Sequence, residues 1–179
     1  MEKSKLISAR EALAVLLANS LIVGTVALAQ TSSATVAATV TAQKVSVTVS
    51  DGSVSYGTVP LSQSKDTTGA VNDTQLITND GNVAEDFNVR GTDSTNWALG
   101  AAVGSDVYMH EFCTTGTGSP DLCDAGAVWN KLTSGSETTL ANNVAAAGNQ
   151  KFDLKLTMPS ATSNYGQQSF SVIVQAVAH

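Results

Sequence analysis

Lys151-Phe-Asp-Leu-Lys-Leu-Thr-Met158 and Ser169-Phe-Ser-Val-Ile-Val-Gln-Ala-Val-Ala178 decide the fold class of this chain. In the first, Phe152, Leu154, Leu156 and Met158 fall on one side, and Lys151, Asp153, Lys155 and Thr157 on the other. Strict period-2 alternation puts one face of a strand on a core and the other toward water. In the second, Phe170, Val172, Val174 and Ala176 share a face, while the opposite face also carries Ile173 and Val177. Such a strand is central, or has its second face covered.

The same period recurs upstream. Val45, Val47 and Val49 alternate with Lys44, Ser46, Thr48 and Ser50, and Asp51-Gly52 follows as a turn signal. Residues 53–56 and 58–61 read as a short strand pair or one strand kinked at Gly57, and residues 63–74 as a polar loop. Residues 75–78 and 84–90 are strands about the turn Asn79-Asp80-Gly81-Asn82, with Phe87 and Val89 on one face of the second. Further strands are expected at 96–100, with Trp97 and Leu99, at 107–112, and at 127–132 around Trp129. Residues 137–144 are ambiguous, because the Ala-rich stretch 140–147 also suits a helical turn. Eight or nine short strands separated by turn signals, with no long amphipathic helix, make an all-β, single antiparallel β-sandwich.

The first thirty residues differ from the rest. Lys3, Lys5 and Arg10 precede an apolar run at 12–29 that ends Ala27-Leu28-Ala29 before Gln30. A basic start, an apolar stretch and small residues at the end form the layout of a secretory signal, with cleavage between Ala29 and Gln30. The alternative is a retained membrane helix. That run holds Asn19, Ser20, Gly24 and Thr25 and only just reaches a bilayer span. Three regions follow: a signal helix at 1–29, an extended low-complexity arm at 30–42, and the sandwich at 43–179.

Composition narrows the function. The chain has 9 basic and 15 acidic residues. Three of those bases and two of those acids precede Gln30, which leaves residues 30–179 at six against thirteen, a net −7. An acidic, Lys-poor domain lacks the clustered cations that phosphate contacts need, which excludes a nucleic-acid partner. Cys113 and Cys123 flank Thr-Thr-Gly-Thr-Gly-Ser-Pro-Asp-Leu. In an exported chain such a pair reads as a disulfide staple rather than a metal or redox pair.

No constellation points to catalysis or a cofactor. His110-Glu111-Phe112-Cys113 lacks the second histidine of a zinc-protease helix, and His179 is the only other histidine. Gly118-Ser119-Pro120 lacks the Gly-x-Ser-x-Gly of a nucleophile elbow. Calcium suits the loop aspartates better than zinc or catalysis does, with Asp121, Asp124 and Asp80 the first candidates if a cation binds, but solvated turn residues are the favoured reading of them. Asn72-Asp73-Thr74 is a sequon. Tyr56, Trp97, Tyr108 and Trp129 suit either a core or an aromatic carbohydrate platform.

The run from Asn79 to Gly91 (Asn-Asp-Gly-Asn-Val-Ala-Glu-Asp-Phe-Asn-Val-Arg-Gly), followed by Trp97-Ala-Leu99, resembles the middle of secreted bacterial surface proteins with an immunoglobulin-like sandwich. The ending from Pro159 through Gln168-Ser-Phe-Ser-Val-Ile-Val-Gln-Ala176 is similar to the last corner and strand of such domains. The resemblance implies an architecture and a cell-surface setting, and carries no catalytic residues.

The function expected is therefore a structural or adhesive one, outside the cytoplasm, by binding or assembly through strand edges and loops. The partners are proteins or further copies of the chain, with polysaccharide as an alternative and membrane contact only through an uncleaved signal. Val45, Val47 and Val49 are the candidate assembly strand, unless residues 43–50 form the first strand of their own sheet. A carbohydrate-binding module requires exposed aromatics on one face. A secreted hydrolase, the weaker rival, requires a pocket gathering His110 with acids.

Overall fold

Asn149–Thr157 is the centre of the molecule, because three strands pair with it. In the computed structural model, residues 31–69, 71–115, 123 and 127–179 are described; the expected signal segment and its cleavage site at Ala29 and Gln30 lie outside them. Ten strands follow in chain order: β1 Val47–Val49, β2 Ser64–Asp66, β3 Gln75–Asn79, β4 Glu85–Gly91, β5 Ala98–Leu99, β6 Val107–Thr115, β7 Asn130–Lys131, β8 Thr138–Val144, β9 Asn149–Thr157 and β10 Val172–Ala178. Among the described residues there is no helix.

The larger sheet runs β1-β3-β9-β6-β5, with β2 also on β9 and β7 also on β6. β3 pairs with the first half of β9 (Gln75↔Phe152) and β2 with the second half (Ser64↔Thr157), while β6 takes the opposite edge along Met109↔Thr157 to Thr115↔Lys151. The smaller sheet is β10-β4-β8. Pairing is antiparallel except at β5 and β6, where Ala98↔Val107 and Leu99↔Tyr108 run parallel. The expectation of a purely antiparallel sandwich is corrected there.

One apolar layer joins the sheets. Phe87 and Val89 of β4 are fully buried in one cluster with Ile77, Phe112, Phe152 and Leu154. This layer follows the alternation read from the sequence: β3 and β4 bury every second residue. Inward-facing apolar side chains of that size each contribute roughly 1.5–3 kcal/mol on burial.

Several local expectations change. Residues 53–60 form no strand, yet Tyr56 is buried and Val54 and Val59 pack on the core. Gly57 does supply the kink, with φ +64°, a left-handed conformation that suits glycine. β2 forms inside the stretch expected to be loop. Only Asn130–Lys131 of the strand expected at 127–132 pairs, and Val128 is exposed. Residues 138–144 form a strand rather than a helical turn. β10 is an edge strand of the smaller sheet, not a central one.

Candidate functional site

β10 presents the longest regular sheet edge. It pairs with β4 over seven residues, Val172↔Gly91 to Ala178↔Glu85, without interruption. The ladder continues one step further, with the His179 N–H donating to the Ala84 carbonyl at 3.0 Å. In an antiparallel pair the hydrogen-bonded residues alternate. Ile173, Gln175 and Val177 therefore bond toward β4, and Val172, Val174, Ala176 and Ala178 aim their N–H and C=O groups outward. Among the described residues no further strand pairs with that edge. Val172, Val174 and Ala176 pack on the core but remain half-exposed, whereas Phe87 and Val89 on β4 are fully buried. Among the described residues β10 is thus paired on one side only, with β1 of the larger sheet near it.

Exposed edges are normally blunted by charge, proline, bulges or shortness. β1 is three residues long and ends at Asp51 and Gly52, both at positive φ. β8 is broken by register shifts opposite Phe87, and its Asn143 has φ 54°. β5 has two residues. β10, Val-Ile-Val-Gln-Ala-Val-Ala, has no charge, proline or glycine.

The candidate assembly strand is held within its own chain. Val47 and Val49 lie in β1, paired with β3 through Val47↔Asn79 and Val49↔Ile77, and pack against the core. Val45 precedes the strand and is 42% exposed. The Asn79–Asn82 turn anchors what comes before. Asn79 donates to the carbonyls of Val83 and Val144 and accepts from the Gly81 N–H at 2.8 Å. The side chain of Asn82 accepts from the Lys44 N–H and donates to the Ala42 carbonyl, each at 2.8 Å. Buried Glu85 accepts from the Ser46 N–H at 2.8 Å. Thr41 and Gln43 line a shallow cavity with Ala84 and His179, so the segment enters the fold beside the C-terminal end of β10.

His110 sits in the core. Tyr108, His110 and Phe112 alternate on the inner face of β6, and the ring is 1% exposed. Its Nε2 shares a hydrogen bond with the Tyr56 hydroxyl at 2.9 Å, and its ring meets Phe170 edge-on at 5.3 Å between centroids. Burial pulls the His110 pKa down to about 4. It also pushes the Tyr56 hydroxyl well up, with the charges of Asp73, Asp66 and Asp153 adding to the effect. A neutral imidazole capped by a tyrosine is a core element in this setting, and among the described residues no acid is hydrogen-bonded to it.

The outer face of the central pair is polar. Glu111 and Lys155 stand opposite in register, with Nζ 2.8 Å from Oε2, and the ammonium lies 4.6 Å from the Trp129 ring centre. Beside them, fully buried Asp153 accepts from the hydroxyls of Thr67 and Thr74 at 2.7 and 2.8 Å. Cys113, on the same face, is disulfide-bonded to Cys123 with 5.8 Å between Cα atoms. Thr74 thus spends the sequon's hydroxyl on a structural bond.

Two of the aspartates tie distant segments together through their carboxylates. The Thr162 hydroxyl, then the Ser163 N–H and hydroxyl, hold the Asp106 carboxyl below its ordinary range. The Asn143 N–H does the same for Asp86, with His179 adding to it. Asp80 uses its backbone, donating to the Ser46 carbonyl and accepting from the Lys44 ammonium. Asp121 and Asp124 lie outside the described residues. Among the described residues no group of three or more His, Cys, Asp or Glu side chains is placed to hold a metal ion.

Of the four aromatics weighed for a carbohydrate platform, Tyr56, Trp97 and Tyr108 are buried, and Trp129 is half-buried under Lys155. Trp97 donates through Nε1 to the Thr162 hydroxyl at 2.9 Å. Tyr165, not singled out in the sequence, is 81% exposed.

No family model, curated protein or solved structure matches this chain. The functional reading therefore rests on the residues themselves.

Proposed function

We propose that this chain is an exported cell-surface protein with an immunoglobulin-like sandwich, serving a structural or adhesive role by assembly through strand edges and loops rather than by catalysis. The observation that carries this reading is the β10 edge: seven residues, uncharged, regularly paired on one side only. Such an edge offers main-chain hydrogen bonds to an incoming strand and side-chain pockets to fix its register. The signal layout at 1–29 and the Cys113–Cys123 bond both suit a compartment outside the cytoplasm.

The test is to follow the full chain, produced with its own first 29 residues, by cell fractionation and light scattering. The expected result is protein outside the cytoplasm, in the surface fraction, associating as its concentration rises. Monomeric protein confined to the cytoplasm would overturn the proposal.

A further inference from the structure

Among the described residues the outer edge of β10 is unpaired, and the chain carries a segment with matching properties. Residues 31–40 read Thr-Ser-Ser-Ala-Thr-Val-Ala-Ala-Thr-Val and form no secondary structure. Ala34, Val36, Ala38 and Val40 alternate with Thr35, Ala37 and Thr39, so an extended conformation has one apolar face and one small, mostly polar face. Val36 and Val40 are 90% and 95% exposed. Like β10, the segment has no charge, proline or glycine. Extended, its ten residues span about 33 Å, enough to cover the roughly 23 Å of a seven-residue strand.

We infer that residues 34–40 of one copy of this chain add as a fourth strand to the free edge of β10 in a second copy. This rests on the assembly reading above and deepens it by naming both donor and acceptor. The outward N–H and C=O groups of Val172, Val174, Ala176 and Ala178 pair with the donor backbone. Val36 and Val40 continue the layer in which Val172 and Val174 stand half-exposed, and Thr35 and Thr39 face water. β1 cannot be the donor without leaving β3, because its Val47 and Val49 are already paired and packed. Among the described residues, no strand pairs with the segment before it. The donor is joined directly to Thr41, which lines a cavity with Ala84 and His179. The contact is heterologous: it closes if two copies exchange arms and propagates if they do not.

The experiment is size-exclusion chromatography with light scattering over a concentration series. It uses the full chain as the cell processes it, beside the variants Val36→Asp/Val40→Asp and Ala176→Pro. The Ala176 N–H points away from β4, so proline there removes an outward donor and leaves the β4 ladder intact. The expected result is association of the parent chain, weakened roughly 100-fold or more by the arm variant through loss of two buried valines, and abolished by Ala176→Pro. Circular dichroism and melting temperature should be unchanged. The arm variant alters no strand, so it remains decisive even if the proline variant fails to fold.

Association that survives the arm variant overturns this inference and leaves the assembly reading standing. If Ala176→Pro abolishes that surviving association, β10 pairs with another element, such as β10 of a second copy. A parent chain that stays monomeric at every concentration overturns the inference and self-assembly together.

Discussion

Glu111 and Lys155 face one another across the two central strands, 2.8 Å apart, with the Trp129 ring beside the ammonium. The carboxylate side chain is 8% exposed and the lysine 23%. Removing the cation leaves a nearly buried charge without its partner. Lys155→Met should lower the unfolding free energy by about 2 kcal/mol, below the usual cost of breaking a buried pair because water still reaches the lysine. Adding Glu111→Gln should recover part of that loss. Urea titrations of the two singles and the double settle this, and strictly additive losses would show that the two groups are uncoupled.

His110 makes stability depend on pH. The unfolded chain takes up this proton near the ordinary value of 6.5, whereas the folded chain does so only near 4. Between those values acid favours the unfolded state, because only that state gains the proton. The contribution is intact above about pH 6.5, is lost as pH falls toward 4, and amounts to at most about 3 kcal/mol. Denaturant midpoints at pH 7 and pH 5 should diverge in the parent chain and converge in His110→Gln. Equal pH sensitivity in both would place the titration elsewhere.

Gly81 has no room for a side chain. A Cβ there would stand 2.2 Å from Glu85 Oε1 and 2.5 Å from the Lys44 carbonyl oxygen. Gly81→Ala must displace either the carboxylate that accepts from Ser46 or the strand segment itself. The expected cost is about 1–3 kcal/mol, typical of overpacking. Limited proteolysis should show earlier cleavage within residues 42–49. Unchanged stability with an unchanged digestion pattern would contradict the arrangement.

Reducing the Cys113–Cys123 bond releases a loop of 10 residues' separation. In the chain-entropy account that costs about 2–3 kcal/mol. Because Cys113 lies on β6, the central strand pair should survive, and the melting temperature of reduced protein should fall without loss of the β-sheet spectrum. Loss of the β-sheet spectrum on reduction at ambient temperature would give the bond a larger role than a staple.

What the sequence made legible was the strands with a clear period of two. β9, β4 and the turn at Asn79 lie where the alternation and the Asn-Asp-Gly-Asn signal put them. His110 could also have been assigned to the core, since it alternates with Tyr108 and Phe112. β2 was not legible: Ser64-Lys65-Asp66 has no apolar pattern and becomes a strand only because the second half of β9 offers it an edge. Tyr56 and Val59 reach the core from a segment without strand pairing, a tertiary placement that local pattern does not encode. The ion pair of Glu111 with Lys155 depends on the register of two strands 44 residues apart, which no local signal fixes. The β10 edge carried a readable sign, an uncharged strand apolar on both faces, but that sign suits a central strand equally well.

β9 has a consequence for how the chain acquires its shape. Its partners arise long before it: the Ser64 hydroxyl bonds Thr157 across 93 positions. The larger sheet therefore has no middle until residue 157 has left the ribosome, and closing loops of that length makes folding slow. Until then the earlier strands stay unspent as a sheet. Such a chain stays without its central strand for most of its synthesis, a state that would suit passage through a narrow pore in the export proposed above.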